Sequence, residues 1–344
     1  MGAPATNGGA NSAVGAVNYA TDYLRALEQA FPYVLNFGDL YSTPNNNRFR
    51  WVNAKTIEIP SISTTGRVDA DRDTIAFAQR NYDNKWETKT LTNERKWSTL
   101  VHPMDIDQSN MVATIANITR VFNEEQKFPE MDAYTISRLY YLWTTSVTPA
   151  SGDTAHSAYV GKSPDTTVLT AANILGVFDK MMLKMDNARV PANGRILYVT
   201  YEVLSLLKNA QIDANNTIGR SISVESGPNA IDRRINRLDQ VKIVGVPSEL
   251  MRTLYVFTSG WTPAQSAKQI NMFLVHPNAV ITPVSYTFSR LDAPSAMSEG
   301  KYVYYEESFE DVFILNKKAD ALQFNVTDVA GTTTTTTTTT TTNE

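Results

Sequence analysis

The chain contains no cysteine, so disulfides, thiolate metal sites and cysteine nucleophiles are excluded, and stability has to come from packing or assembly. Histidine is scarce: His102, His156 and His276 stand far apart, and two of them precede proline. No two share the spacing of helical metal ligands, so a zinc site is not indicated. No run of about 18 apolar residues occurs, which leaves no candidate for a membrane-spanning helix. An excess of one charge is lacking too, since 31 basic and 35 acidic residues give a formal charge of −4. That balance supplies neither a global basic field for nucleic acid nor a polyanionic tail. The first 17 residues are rich in Gly, Ala and Asn, with no basic start followed by an apolar block, so no secretory signal is expected.

What is present suits a folded protein. Hydrophobic residues make up 42% of 344, enough for two domains or for one with large excursions. Residues 1–18 read as an arm too small and polar to repay the entropy of ordering. A short amphipathic helix is expected at 19–27, with Tyr23, Leu24 and Leu27 on one side. An irregular connector with Pro32, Pro44 and Asn45-Asn46-Asn47 follows.

The stretch 51–103 reads as a long hairpin. Lys55-Thr56-Ile57-Glu58-Ile59 alternates polar and apolar as a half-buried strand does, and Pro60 marks a strand end or an edge. A polar tip holds Arg67, Asp69, Asp71 and Asp73, and a return strand is expected over 85–100. Its charges fall on both alternating faces, so neither face is expected to be a core face. A two-stranded ribbon of that kind is marginal alone in water and needs a partner surface.

The chain then turns helical over 109–147. Met111, Ile115, Ile118 and Phe122 share one stripe, and Tyr134, Ile136, Leu139, Leu142 and Trp143 continue the pattern beyond Pro129. Asp105, Asp107 and Ser109 are placed to cap its start. Pro129 predicts a kink or a restart. The second half predicts a helix over 170–185, a buried strand at 195–200 followed by a helix over 201–210, and a polar loop over 212–234. Strands are expected at 241–246, 254–257, 270–275, 301–305 and 310–315, leading on to 322–326. This order gives an α+β architecture, a sheet covered by helices. The threonine run from 332 to 342 has no apolar pattern and reads as a disordered appendage.

Signals for chemistry fail on inspection. Val160-Gly161-Lys162-Ser163 ends like a phosphate-binding loop, but His156 stands where the earlier glycine belongs. Asp69-Ala70-Asp71-Arg72-Asp73 starts like a calcium loop, yet Thr74 replaces the turn glycine and Arg80 the bidentate glutamate. Ser205 and Lys208 have an acyl-enzyme spacing that any amphipathic helix supplies. Asn117, Asn215 and Asn325 sit in glycosylation triplets that matter only on a secreted protein. Glu306-Glu307 beside Glu310-Asp311 is expected to face solvent rather than to form an acid pair. The basic cluster Arg233, Arg234 and Arg237 lacks the interleaved aromatics of a nucleic-acid platform. No catalytic residue, metal or cofactor is assigned.

The order of parts carries more. Lys89-Thr90-Leu91-Thr92-Asn93-Glu94-Arg95 running on into His102-Pro103-Met104-Asp105-Ile106-Asp107 resembles the hairpin return and helix start of the major capsid proteins of tailed bacteriophages, the Hong Kong-type capsid fold. Glu130-Met131-Asp132-Ala133-Tyr134-Thr135 and Asp311-Val312-Phe313-Ile314-Leu315-Asn316-Lys317-Lys318 are similar to segments of the same family, and the likeness spans 19–326. The resemblance implies an N-terminal arm at 1–50 and an extended loop at 51–103 lying over a neighbouring subunit. It implies a peripheral domain with a spine helix at 104–162, an axial domain at 163–286, and returning strands of the peripheral domain at 287–330, before the tail at 331–344. The implied function is a shell of pentamers and hexamers around double-stranded DNA, made in the host cytoplasm and ending in the virion. Separate scaffolding, portal and decoration proteins are implied partners, with non-specific contact to packaged DNA and none to a membrane. Implied inter-subunit contacts are Arg67, Lys85, Lys89, Arg95, Lys96, Trp97, Glu124 and Glu125. Lys55, Lys85, Lys89 and Lys96 lie where some relatives cross-link a lysine to an asparagine; no cross-link is expected here. Two rivals stay open: an encapsulin-like nanocompartment shell, and an α+β enzyme or surface-binding protein with an inserted hairpin.

Overall fold

The computed structural model of the chain describes residues 33–67, 80–109, 114–151, 153, 156, 158–210 and 237–328. The expected helix at 19–27, the acidic tip at 69–73, Arg233 and Arg234, and the threonine run lie outside the described residues.

After a short helix α1 (Gly38–Tyr41), an antiparallel ribbon forms from β1 (Arg50–Asn53), β2 (Thr56–Thr64) and β3 (Tyr82–Thr90). Its register pairs Thr56 with Thr90 and Thr64 with Tyr82. The return, expected as one strand over 85–100, is two strands. Leu91 turns inward and donates its N–H to Lys55 O at 2.8 Å, and Thr92 N donates to Asp311 Oδ2 at 2.8 Å. These bonds take the chain out of the ribbon, and β4 (Glu94–Val101) joins a different sheet. Along β4, Arg95, Trp97 and Thr99 are half-buried while Lys96, Ser98 and Leu100 are exposed. One face is therefore covered, contrary to the expectation from charge alone, because a long charged side chain can lay its stem on a core and pair its head.

The helical region is cut more finely than expected. The caps are His102, accepting from Met104 N before α2 (Pro103–Gln108), and Thr114, accepting from Asn117 N before α3 (Ile115–Phe122). A π-helical turn, Asn123–Lys127, joins α3 to α4 (Phe128–Thr144). Pro129 has no N–H to give to Glu125 and its ring would strike that carbonyl in a regular α-helix; the wider turn just before it relieves both problems. The helix continues through the proline. Ala133, Ile136, Leu139 and Trp143 of α4 are fully buried. Beyond α4 the chain doubles back so closely that a Cβ on Gly161 would stand 2.0 Å from Thr144 O, a position only glycine can hold.

The second half holds α5 (Ile174–Asn187), β5 (Ile196–Thr200), α6 (Tyr201–Ala210), β6 (Arg237–Leu238), β7 (Val241–Val246), β8 (Tyr255–Val256), β9 (Thr262–Pro263) and β10 (Gln269–Val275). It ends in β11 (Val280–Ile281), β12 (Val284–Asp292), β13 (Tyr302–Glu310), β14 (Phe313–Ile314) and β15 (Leu322–Thr327). A five-stranded sheet runs β15-β10-β5-β7-β6, with β5 and β7 parallel, and a three-stranded sheet runs β12-β13-β4. Helix α4 covers one face of the larger sheet through Ile196, Tyr198, Ile270, Phe273 and Phe324. Helices α5 and α6 cover the other through Leu197, Val199, Val241, Met272 and Leu274. A bulge at Asn271 shifts the register, so Ile270 and Phe273 share a face despite their odd spacing. Phe273 stacks on Phe324 at 4.4 Å and on Tyr198 at 5.9 Å, a ladder across three strands that Trp143 closes at 5.0 Å from Phe324.

The returning strands expected together at 287–330 separate. β13 lies between β12 and β4, whereas β15 is an edge of the five-stranded sheet. Leu322 through Val326 are all buried, with Asn325 Nδ2 bonded to Thr167 O at 3.0 Å. A strand buried on both faces belongs between helix layers rather than in an open ribbon.

Candidate assembly surfaces

Two projecting ribbons and the joint between them hold the residues singled out in the sequence. The ribbon of β1, β2 and β3 is anchored at its root. Ile57 and Leu91 pack with Phe309 and Phe313, with Phe49 and Leu142 alongside. Glu87 is 8% exposed, pairs with Lys89 at 2.8 Å and accepts from Asn316 Nδ2 at 2.6 Å. The root therefore has an inside on its own chain, which corrects the expectation of a ribbon with no core face. Beyond Ile59 the ribbon is open to solvent. Ile62 is 67% exposed, Tyr82 56% and Trp86 40%, with the Arg50 guanidinium 4.4 Å from the Trp86 ring. Lys85 sits opposite Ser61 on this outer half, and Arg67 is exposed at its far end.

The joint between β4, β13 and α4 gathers buried and half-buried charges of both signs. Arg95 Nε donates to Glu130 Oε1 at 2.5 Å and its Nη1 to Phe257 O at 2.7 Å. Lys127 bonds Glu306, which also accepts from Tyr304 OH at 2.9 Å. Asp311 accepts from Tyr134 OH at 2.8 Å and lies 3.3 Å from Arg138 Nε. Glu306 and Asp311 are thus buried and paired, which overturns the solvent-facing expectation for this acidic run. Burial pushes the Glu310 carboxyl above its ordinary range; Lys127 opposes the shift and the neighbouring Glu130, Glu306 and Asp311 add to it. The Trp97 ring lies flat on Phe122 at 3.9 Å, tying β4 to the end of α3. A cavity of about 260 Å³ remains among these groups.

Arg95 and Trp97 are thereby engaged within their own chain, Lys89 serves the ribbon root, and Lys96 points outward on β4. Glu124 and Glu125 are half-buried on the π-helical turn. At the start of the described chain, Asp132 of α4 accepts from Tyr33 OH, Asn36 N at 2.8 Å and Phe37 N at 3.2 Å, clasping that segment to the helix.

The second ribbon is β12 with β13, and on β12 Val284, Tyr286 and Phe288 alternate with Ser285, Thr287 and Ser289, a strand signal that the sequence reading missed. All of β12 except Ser285 is exposed, and Tyr286 and Phe288 lie parallel at 6.2 Å on its open edge. A nine-residue edge with unpaired backbone groups and exposed aromatic rings is a surface that proteins ordinarily cover.

Among the described residues, no group of three or more His, Asp or Glu side chains is placed to hold a metal ion, and no helix is long and apolar enough to cross a membrane. Glu130, Glu306 and Asp311 of the joint are spent on ion pairs and hydrogen bonds that bind one element to another.

No protein-family model matches the chain, and no curated protein matches it. Solved structures do. The mature capsid of bacteriophage PhiM1 is similar with a TM-score of 0.63 and 13% identity, covering 90% of this chain and 92% of that one. The capsid of cyanophage P-SCSP1u gives 0.59 and 11%, covering 90% and 93%. The capsid of an empty GTA particle gives 0.55 and 13%, covering 90% and 95%. At such identities the likeness is one of fold, and the fold is that of phage capsid subunits, as the resemblance in the sequence implied.

Proposed function

We propose that the chain is the shell-forming subunit of a tailed-bacteriophage head or a related phage-like particle. Its copies associate into pentamers and hexamers and close into an icosahedral container for double-stranded DNA. The observation that carries this reading is the pair of projecting ribbons with exposed aromatic and aliphatic side chains, on a fold that matches capsid subunits over 90% of its length. A solitary chain gains nothing by exposing these surfaces; a ring of copies buries each against a different surface of the next, and such heterologous contacts close when the rotation allows. The role is structural rather than enzymatic.

In this reading the arm is 1–50 and the extended loop 51–103, with a spine region at 104–162 and an axial region at 163–286. Arg67 and Lys96 are exposed for a neighbour, Lys85 is half-buried on the ribbon, and Glu124 and Glu125 lie on the π-helical turn of the spine. Scaffolding and portal proteins act as separate partners, and DNA is contacted through its phosphates without sequence preference. Purified chain viewed by negative-stain microscopy tests the proposal. Uniform closed particles are expected; a chain that stays solitary at high concentration overturns it.

A further inference from the structure

A cavity of about 290 Å³ lies at the root of the first ribbon, walled by Ile59, Ile62 and Leu315 and rimmed by Arg48, Lys317 and Lys318. Among the described residues, Lys317 and Lys318 donate to carbonyl oxygens alone, of Ile62 and Asn278. Among the described residues no carboxylate forms an ion pair with any of the three cations; Glu87, which also lines the cavity, is taken by Lys89 and Asn316. Burial and the Arg48 charge together lower the Lys318 amine from its ordinary range. Three uncompensated cations around an apolar recess, on a chain of net charge −4, suit an occupant with an apolar body and an acid beside it. A nucleic-acid backbone would ask for an extended basic stripe instead.

The turn between β12 and β13 has that composition. Met297 is 98% exposed, yet the turn that presents it is tightly ordered. Ser295 N donates to Ser298 Oγ at 2.9 Å, Ser298 N returns a bond to Ser295 Oγ at 3.2 Å, and Gly300 N bonds Ser295 O at 2.9 Å. Glu299 adopts a positive φ of 51°, a strained conformation for a residue with a side chain. Its carboxylate is 80% exposed and, among the described residues, paired with Lys301 alone at 3.0 Å, a surface pair of the kind that exchanges partners at little cost.

We propose that the Met297–Glu299 turn of one copy docks into the ribbon-root cavity of another, Met297 against the apolar wall and Glu299 among Arg48, Lys317 and Lys318. Within one copy the two features lie at opposite ends of β13. β13 carries the turn roughly 26 Å from Glu310 at about 3.3 Å per residue, whereas the cavity lies just beyond Glu310, at Leu315 to Lys318. The contact is therefore heterologous, one surface fitting a different one. It rests on the shell reading and adds the residues that join one copy to the next.

The absence of cysteine makes the test clean. The double variant Met297→Cys with Ile62→Cys is assembled, oxidised and run on a non-reducing gel beside each single variant. A ladder of linked multimers from the double variant, absent from both singles, is the expected result. Particles that form normally without a ladder overturn the docking and leave the shell reading standing; wild-type chain that never assembles overturns both. In a second arm, Glu299→Lys is expected to abolish particles and Lys318→Glu to restore them. Unimpaired assembly of Glu299→Lys overturns the electrostatic half of the contact.

Discussion

Single residues in the joint decide how the molecule responds to acid and to charge reversal. Glu310 has its carboxyl raised above the ordinary 4.5 by burial, with three neighbouring acids adding to the shift. A raised acid favours its protonated form in the folded state, so its contribution is fully present below 4.5 and is lost as pH climbs through the raised value. Glu310→Gln should therefore raise the melting temperature at pH 7 more than at pH 4.5, as thermal unfolding at the two pH values would show. Neighbouring positions on β4 should behave oppositely. Arg95→Glu loses two hydrogen bonds and places a second acid beside Glu130, so it should cost about 2 kcal/mol in a denaturant titration. Lys96→Glu, on the exposed face, should stay within about 0.5 kcal/mol while lowering the yield of particles by microscopy. A Lys96→Glu chain that assembles as wild type removes that residue from the contact. The sequence did not reveal this division: Lys127 lies 179 positions from Glu306, and adjacent charges on a strand look alike until the opposite surface is known.

At the scale of elements, periodicity was a good guide wherever one face met one core. The stripe of α4, the buried strand β5 and the helix after it lie where their apolar spacing placed them, because local pattern and tertiary burial agree there. It failed where a device interrupted the period. The π-helical turn before Pro129, the bulge at Asn271 and the inward turn of Leu91 each change which residues share a face; Pro129 signalled only that something happens there, and the other two leave no signature in composition. β12 was missed although Val284, Tyr286 and Phe288 alternate with Ser285, Thr287 and Ser289; that apolar face is exposed on the described chain. The ribbon root is the corrected element, and it is open to a direct test. Ile57 is fully buried among Leu91, Phe309 and Phe313, so Ile57→Ala should cost about 2–5 kcal/mol. Hydrogen exchange should quicken along β2 and β3 while the five-stranded sheet keeps its protection. Equal loosening everywhere would mean that the root is no separate anchor.

For the whole molecule, the arrangement most in need of explanation is the last strand. β15 supplies Phe324 to the aromatic ladder, and Ala319, just before it, accepts the Trp143 indole N–H at 3.1 Å. The strand that closes the five-stranded sheet at its edge thus follows β5, β7 and β10 in the chain. Without it, Trp143 and Phe273 lack their cover and the ladder lacks a rung. Copies that lack residues 322–327 are then expected to expose aromatic surface and to drop out of solution. Ending the chain after residue 321 should yield insoluble material on expression, while ending it after 330 should leave solubility untouched. The five-stranded sheet thus has a closing piece: a copy without β15 keeps the fold's layers but leaves their aromatic seam open to water.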